Sequence, residues 1–299
     1  MRITQRSLAL NSLQGLNKNL AAVNKLQNQL TSGKTISTPS DDPTGTNTSM
    51  ITRQGIEGNA QQARNISDAT TFLNATDSAL QNMLDQVRKV RDLAVQALNT
   101  GSASAASNQA IATEVNGVRE SLLGQANQVV QGRPIFGGVT TGNVAYDPGG
   151  NYVGVGDATT GQATWVKRRV SDVESIRVDI TGSEAFGSVP GKDLFSVVAN
   201  VANHVGDVTA LTTDLADLDK VIDGMTRAAA DIGTRAARMD NAASVNASQA
   251  LNLQAKLSAT EDVDLPKTIM DLQMQQTGYQ AALSVTAKSM QQTLLDFLR

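Results

Sequence analysis

The chain has 299 residues, 40% of them hydrophobic, with 24 glycines besides, which is enough apolar material for at least one sizeable core and argues against a disordered polymer. Twenty-five basic against 28 acidic side chains leave a net charge of −3, so no basic field exists to neutralise a phosphate backbone or an anionic bilayer, and neither nucleic acid nor membrane is expected as a partner. With no Cys and His204 as the single histidine, disulfides, thiolate metal sites, Cys nucleophiles and His relays drop out together.

At the N-terminus the apolar residues fall at Leu10, Leu13, Leu16, Leu20, Val23, Leu26 and Leu30. Steps of three and four draw a narrow stripe along a helix predicted over 3–30, with Gly33 as its stop. Polar residues interrupt this segment too often for the apolar stretch of about 7–15 residues in a cleaved secretory signal, so none is expected. Next, Pro39, Ser40, Asp41, Asp42 and Pro43 read as a turn in which Asp42 caps a new helix and Pro43 opens its first turn. The acidic pair alone falls far short of a calcium loop.

From Ile66 the stripe becomes regular, through Ala69, Leu73, Thr76, Leu80, Met83, Val87, Val90, Ala94 and Ala97. A small-residue break near Gly101 follows. Ile111, Val115, Val118, Leu122 and Val129 then predict an antiparallel return helix running up to Gly132.

Between 132 and 192 glycines recur among β-prone runs, and strands are expected at 143–146, 152–155, 163–166 and 175–180. Tyr146, Tyr152 and Trp165 would furnish the core of this small all-β insert. Lys167, Arg168 and Arg169 read as a solvated strand edge. Gly132 and Gly191 bracket the insert, which predicts helices that fold without it. Its glycines match no phosphate-cradling spacing and read as turn residues.

Helix resumes after Lys192, with His204 expected near the start of a long helix whose seam runs Leu211, Leu215, Leu218, Ile222, Met225, Ala229, Ile232, Ala236, Met239 and Ala243. After an acidic break at 261–266, whose carboxylates suit the positive end of the next helix, Leu265, Ile269, Leu272, Tyr279, Leu283, Met290, Leu294 and Phe297 line one face.

The pattern predicts a mainly α protein, a long antiparallel helical bundle or coiled coil built from both chain ends with a small all-β insert. The expected parts are a terminal coiled-coil assembly domain (1–42 with 262–299), a helical-bundle shaft (43–134 with 192–261) and a β-rich outer insert (135–191). Terminal helices with bare apolar stripes are not stable alone. The stripes at 1–30 and 265–299 are therefore expected to serve intersubunit packing, through Leu10, Leu13, Leu16, Leu20, Val23, Leu26, Leu30, Leu272, Tyr279, Leu283, Met290, Leu294 and Phe297. No nucleophile, base and orienting group can be assembled, so no enzyme, cofactor or metal is expected.

Four stretches go beyond pattern. LTSGKTI (30–36) followed by PSDDP (39–43) resembles the N-terminal signature of bacterial flagellins and their hook-associated relatives. EDVDLP (261–266), YQAAL (279–283) and TLLDFL (293–298) are similar to the paired C-terminal signature. GRPIFGG (132–138), with Gly132, Phe136 and Gly137, and the C-terminal ending resemble the members that join hook to filament, although Pro134 stands where such members commonly carry an aromatic.

This resemblance implies a self-assembling axial subunit of the flagellum at the hook–filament junction. The alternatives are a filament flagellin or an exported coiled-coil adhesin or effector. The terminal helices would form an inner tube, the bundle a middle shell and the insert an outward face. It also implies unfolded export without a cleaved signal, an extracellular location, an export chaperone, and partners among the hook-side junction protein, flagellin and further copies of itself.

Overall fold

The computed structural model describes residues 5–99, 104–140, 142–155, 165–189 and 191–297, with side chains between 10 and 288. Its helices are α1 (Gln5–Ser32), α2 (Pro43–Leu98), α3 (Ala105–Ala126), α4 (Gly182–Phe186), α5 (Leu194–Asn203), α6 (Val208–Glu261) and α7 (Leu265–Phe297). The strands are β1 (Val129–Val130), β2 (Arg133–Pro134), β3 (Lys167–Arg169) and β4 (Ser175–Arg177). Contacts divide the chain into unit 1, Met1–Gly58 with Gln249–Arg299, and unit 2, Asn59–Ser248.

In unit 2 the long helices run antiparallel. Asn59 and Asn246 each donate a side-chain amide to the other's backbone carbonyl, at 3.2 and 3.1 Å, and Arg91 meets Asp219 at 2.6 Å, so residue numbers rise on α2 as they fall on α6. Lys89 meets Glu114 of α3, and Gln131, in the turn beyond α3, meets Asp68, so α3 and the residues after it run back along α2. The predicted seam is the core: Leu73, Leu80, Met83, Val87 and Val90 of α2 are fully buried with Val115 and Leu122 of α3 and Leu211, Leu218 and Met225 of α6.

The segment between α3 and α5 differs from the expected all-β insert. α3 stops at Ala126, and Val129, placed on its stripe by spacing, belongs instead to hairpin β1–β2. Gln131 and Gly132 both have positive φ, 53° and 76°, the two-residue turn whose twist suits a hairpin. The expected strands at 143–146 and 152–155 reduce to a bridge between Tyr146 and Tyr152 and another between Gly138 and Val155. The first half of the expected strand at 163–166 lies outside the described residues, and Trp165 and Val166 precede β3, which the three basic residues form.

A short helix, α4, follows the last expected strand inside the insert that was expected to be all-β. Thr181 makes its capping box, accepting from the Glu184 amide at 3.3 Å while Glu184 accepts from the Thr181 amide at 3.1 Å. Trp165 is 42% exposed rather than core, with the Lys167 and Arg177 cations 5.4 and 5.0 Å from its ring centre. The aromatic core is Phe136, Tyr146, Phe186 and Phe195, with ring centres 4.8 Å apart for Phe136–Phe186 and 4.7 Å for Tyr146–Phe195. These rings share one continuous cluster with the helix seam, so the segment completes the core of unit 2.

In unit 1, α1 and α7 pair, with Gln275 of α7 bonded to Asn19 of α1 at 3.3 Å. α1 ends as expected at Gly33, whose φ of +69° suits a glycine stop. Asp42 caps α2 by accepting from the Thr44 and Gly45 amides at 3.0 and 2.9 Å.

Candidate assembly interface

Side chains on α1 and α7 show what pairing within one chain does and does not cover. Val23 is buried, and Leu16, Leu26, Leu30, Leu272 and Tyr279 are half-buried. Leu10, Leu13, Leu20 and Leu283 stay exposed, Leu10 and Leu13 by more than half. Met290, Leu294 and Phe297 lie outside the described side chains. Beyond the stripe read from the sequence, Met270, Met274 and Val285 of α7 are each at least 60% exposed, and so are Met50, Ile51 and Leu251 of unit 1. Spacing did not single these out because they sit off the three-four stripe; Met270 and Met274, four residues apart, form a second short row on α7.

The connector between α1 and α2 is cross-linked through Asp41. Asp41 accepts from the amides of Ser37 and Thr38 at 3.3 and 3.0 Å and from their hydroxyls at 2.9 and 3.1 Å, and Lys25 reaches it at 3.1 Å. The Ser37 hydroxyl first, then the Thr38 amide and Lys25, hold this carboxyl far below its ordinary range. Pro39, Ser40 and Pro43 form the exposed outside of the turn, with the Ser40 hydroxyl 2.9 Å from that of Thr38.

The acidic break after α6 works differently from the expected dipole partner. Only Asp264 serves the start of α7, accepting from the Lys267 amide at 3.2 Å. Glu261 and Asp262 turn instead to cations: Arg53 grips Glu261 through two hydrogen bonds of 3.0 and 2.7 Å, and Lys34 lies 2.6 Å from Asp262. Sequence reading missed this cluster, since its members are brought together from 208 or more positions apart.

Two family models cover well over half of the chain: the bacterial flagellin N-terminal helical region matches residues 3–141 and the bacterial flagellin C-terminal helical region matches 215–298. The chain belongs to the bacterial flagellin family. It is thus a structural protein of the bacterial flagellum. Flagellar hook-associated protein 3 of Escherichia coli K12 is 27% identical over 94% of this chain and 95% of its own length. Flagellin of Bacillus subtilis 168 is 28% identical across the whole of both chains. The solved structure of flagellar hook-associated protein 3 from Legionella pneumophila superposes with a TM-score of 0.60 at 16% identity, covering 70% of this chain and 98% of that one, a likeness of fold.

The family blocks have physical reasons in this fold. Ile135 and Phe136 of the GRPIFGG block are fully buried. A Cβ on Gly137 would stand 2.6 Å from the Pro134 ring and 2.7 Å from the Thr140 methyl. Gly138, at φ +63°, lies so close to the Val155 carbonyl that a side chain would collide with it. His204 is not at the start of a long helix; it ends α5, its Nδ1 2.6 Å from Asp214.

Proposed function

We propose that this chain is a non-enzymatic axial subunit that assembles at the junction between hook and filament. The observation that carries the reading is similarity to hook-associated protein 3 along nearly the full length of both chains. Similarity to a flagellin over its whole length keeps a filament role as the second reading. In the proposed assembly, Leu10, Leu13, Leu16, Leu20, Leu26 and Leu30 with Leu272, Tyr279, Leu283, Met290, Leu294 and Phe297 form the intersubunit seam, while Val23, expected there from its spacing, is already buried within the single chain. Exposed leucines on paired helices support it, because large apolar side chains left in water favour association. Pro39, Ser40, Asp41, Asp42, Pro43, Gly132, Phe136 and Gly137 act as turn and cap residues that shape the subunit.

The proposed parts are an assembly domain from 1–42 and 262–299, a shaft from 43–134 and 192–261, and the 135–191 insert. Export as an unfolded chain to the cell exterior without a cleaved signal, a dedicated chaperone, and contacts with a hook-side junction protein and with flagellin complete the reading. Immuno-electron microscopy of isolated flagella tests it. Labelling confined to the hook end supports the junction role, labelling along the filament supports the flagellin role, and absence from flagella overturns both.

A further inference from the structure

Unit 1 buries little apolar surface. Among its described residues Val23 is the one buried hydrophobic side chain, whereas Ser49, Thr52, Glu261 and Thr268 are buried polar ones. Hydrophobic burial therefore supplies less of its cohesion than it does in unit 2, and specific polar contacts weigh more.

The densest of these contacts surrounds Glu261, the last residue of α6, whose side chain is 8% exposed. From α2, the Arg53 guanidinium meets both carboxylate oxygens in a parallel two-bond fork. Lys34, from the connector after α1, lies 3.5 Å from Glu261 and 2.6 Å from Asp262. The backbone repeats the link: the Thr35 amide donates to the Glu261 carbonyl at 2.6 Å and the Val263 amide to the Gly33 carbonyl at 3.1 Å, so Lys34 and Asp262 face each other as an antiparallel bridge. The Thr35 hydroxyl donates to the same Glu261 carbonyl at 3.0 Å. One small cluster thus ties the exit of α1, the first part of α2, the end of α6 and the entry to α7.

We propose that Arg53, Glu261 and Lys34 form an electrostatic latch: while Glu261 is charged the connectors leading to α1 and α7 are held together, and loss of that charge frees both connectors while unit 2 stays folded. The latch belongs to the single chain and stands whether that chain serves at the junction or in the filament. Its charged neighbours all favour the same outcome. Arg53 and Lys34 remain cationic in acid, and Asp262 loses its charge in the same direction as Glu261. The Arg53 hydrogen bonds hold the Glu261 carboxyl below its ordinary value against the opposing effect of burial, and Lys34 does the same for Asp262. A glutamate carboxyl held low in the folded state stabilises it above the unfolded value of about 4.3, and that support is lost as pH falls through the folded-state value.

Amide hydrogen exchange on the full-length chain, corrected for the intrinsic effect of pH, tests the latch. In Glu261→Gln, protection at Thr35 and Val263 should fall by about tenfold or more at neutral pH and show little further change in acid. Wild type should show that loss on acidification through the carboxylate range, with Leu80 and Leu218 of unit 2 still protected. Lys34→Met keeps the Arg53–Glu261 fork and removes only the cross-connector arm, so its loss should be smaller and centred on Thr35. Wild-type protection in Glu261→Gln would overturn the latch, as would an acid transition of unchanged size and midpoint in that variant. Loss at Leu80 and Leu218 together with Thr35 would overturn the separation from unit 2.

Discussion

Individual glycines in this chain have opposite roles that the sequence does not distinguish. Gly138 sits at φ +63° against the Val155 carbonyl, so an added methyl group meets both backbone strain and backbone oxygen. Gly124 is exposed in α3 and has nothing within 4 Å of the place a Cβ would occupy. Gly138→Ala should accordingly destabilise unit 2 by more than about 1 kcal/mol, and Gly124→Ala should stabilise it by about 0.5–1 kcal/mol through helix propensity. Urea denaturation midpoints check both; an unchanged or raised midpoint in Gly138→Ala would refute the reading of the GRPIFGG block as a conformational requirement.

At the scale of elements, the segment carrying β3, β4 and α4 tests how far the core extends. Phe186 of α4 is 1% exposed and its ring centre lies 4.8 Å from that of Phe136, inside the cluster that also holds Leu73 and Leu218. Phe186→Ala should cost about 3–5 kcal/mol and lower the melting of helical far-UV circular dichroism, because one core unfolds as one. Helical melting left unmoved would mean that the segment folds independently, as the bracketing glycines suggested. The helices were legible because the three-four stripe of residues such as Leu73, Leu80 and Val87 records burial directly. Hairpin β1–β2 was not, because Val129 continues the α3 stripe by spacing while the turn at Gln131 and Gly132 takes it out of the helix. Nor was α4, where Thr181 and Glu184 close a capping box directly after the strand-like run at 175–180, in a segment read only as glycine-punctuated connection. The Arg53–Glu261 fork lay beyond any local pattern, since charge pairing across the chain leaves no period.

On the scale of the whole molecule, the two units differ in how their apolar residues are used. The leucines of unit 2 are spent within the chain, as Leu73, Leu80, Leu122 and Leu218 show by full burial, while in unit 1 Leu10, Leu13, Leu20, Leu265 and Leu283 remain 41–58% exposed. Full burial of a leucine is worth about 1.5–3 kcal/mol, so covering the exposed half of each in a row of them would favour the proposed association of chains. Leu13→Asp discriminates between the two uses. In the purified chain Leu13 is 54% exposed, and an aspartate there keeps its water, so thermal unfolding should shift by no more than about 0.5 kcal/mol in stability. In an assembled seam the same carboxylate would be desolvated without a partner at a cost of several kcal/mol. Cells carrying the variant should therefore export it, yet release it into the medium instead of retaining it on flagella, as quantified by immunoblotting of flagellar and supernatant fractions. Normal retention would remove Leu13 from the intersubunit seam; a destabilised purified chain would assign it to packing within the subunit.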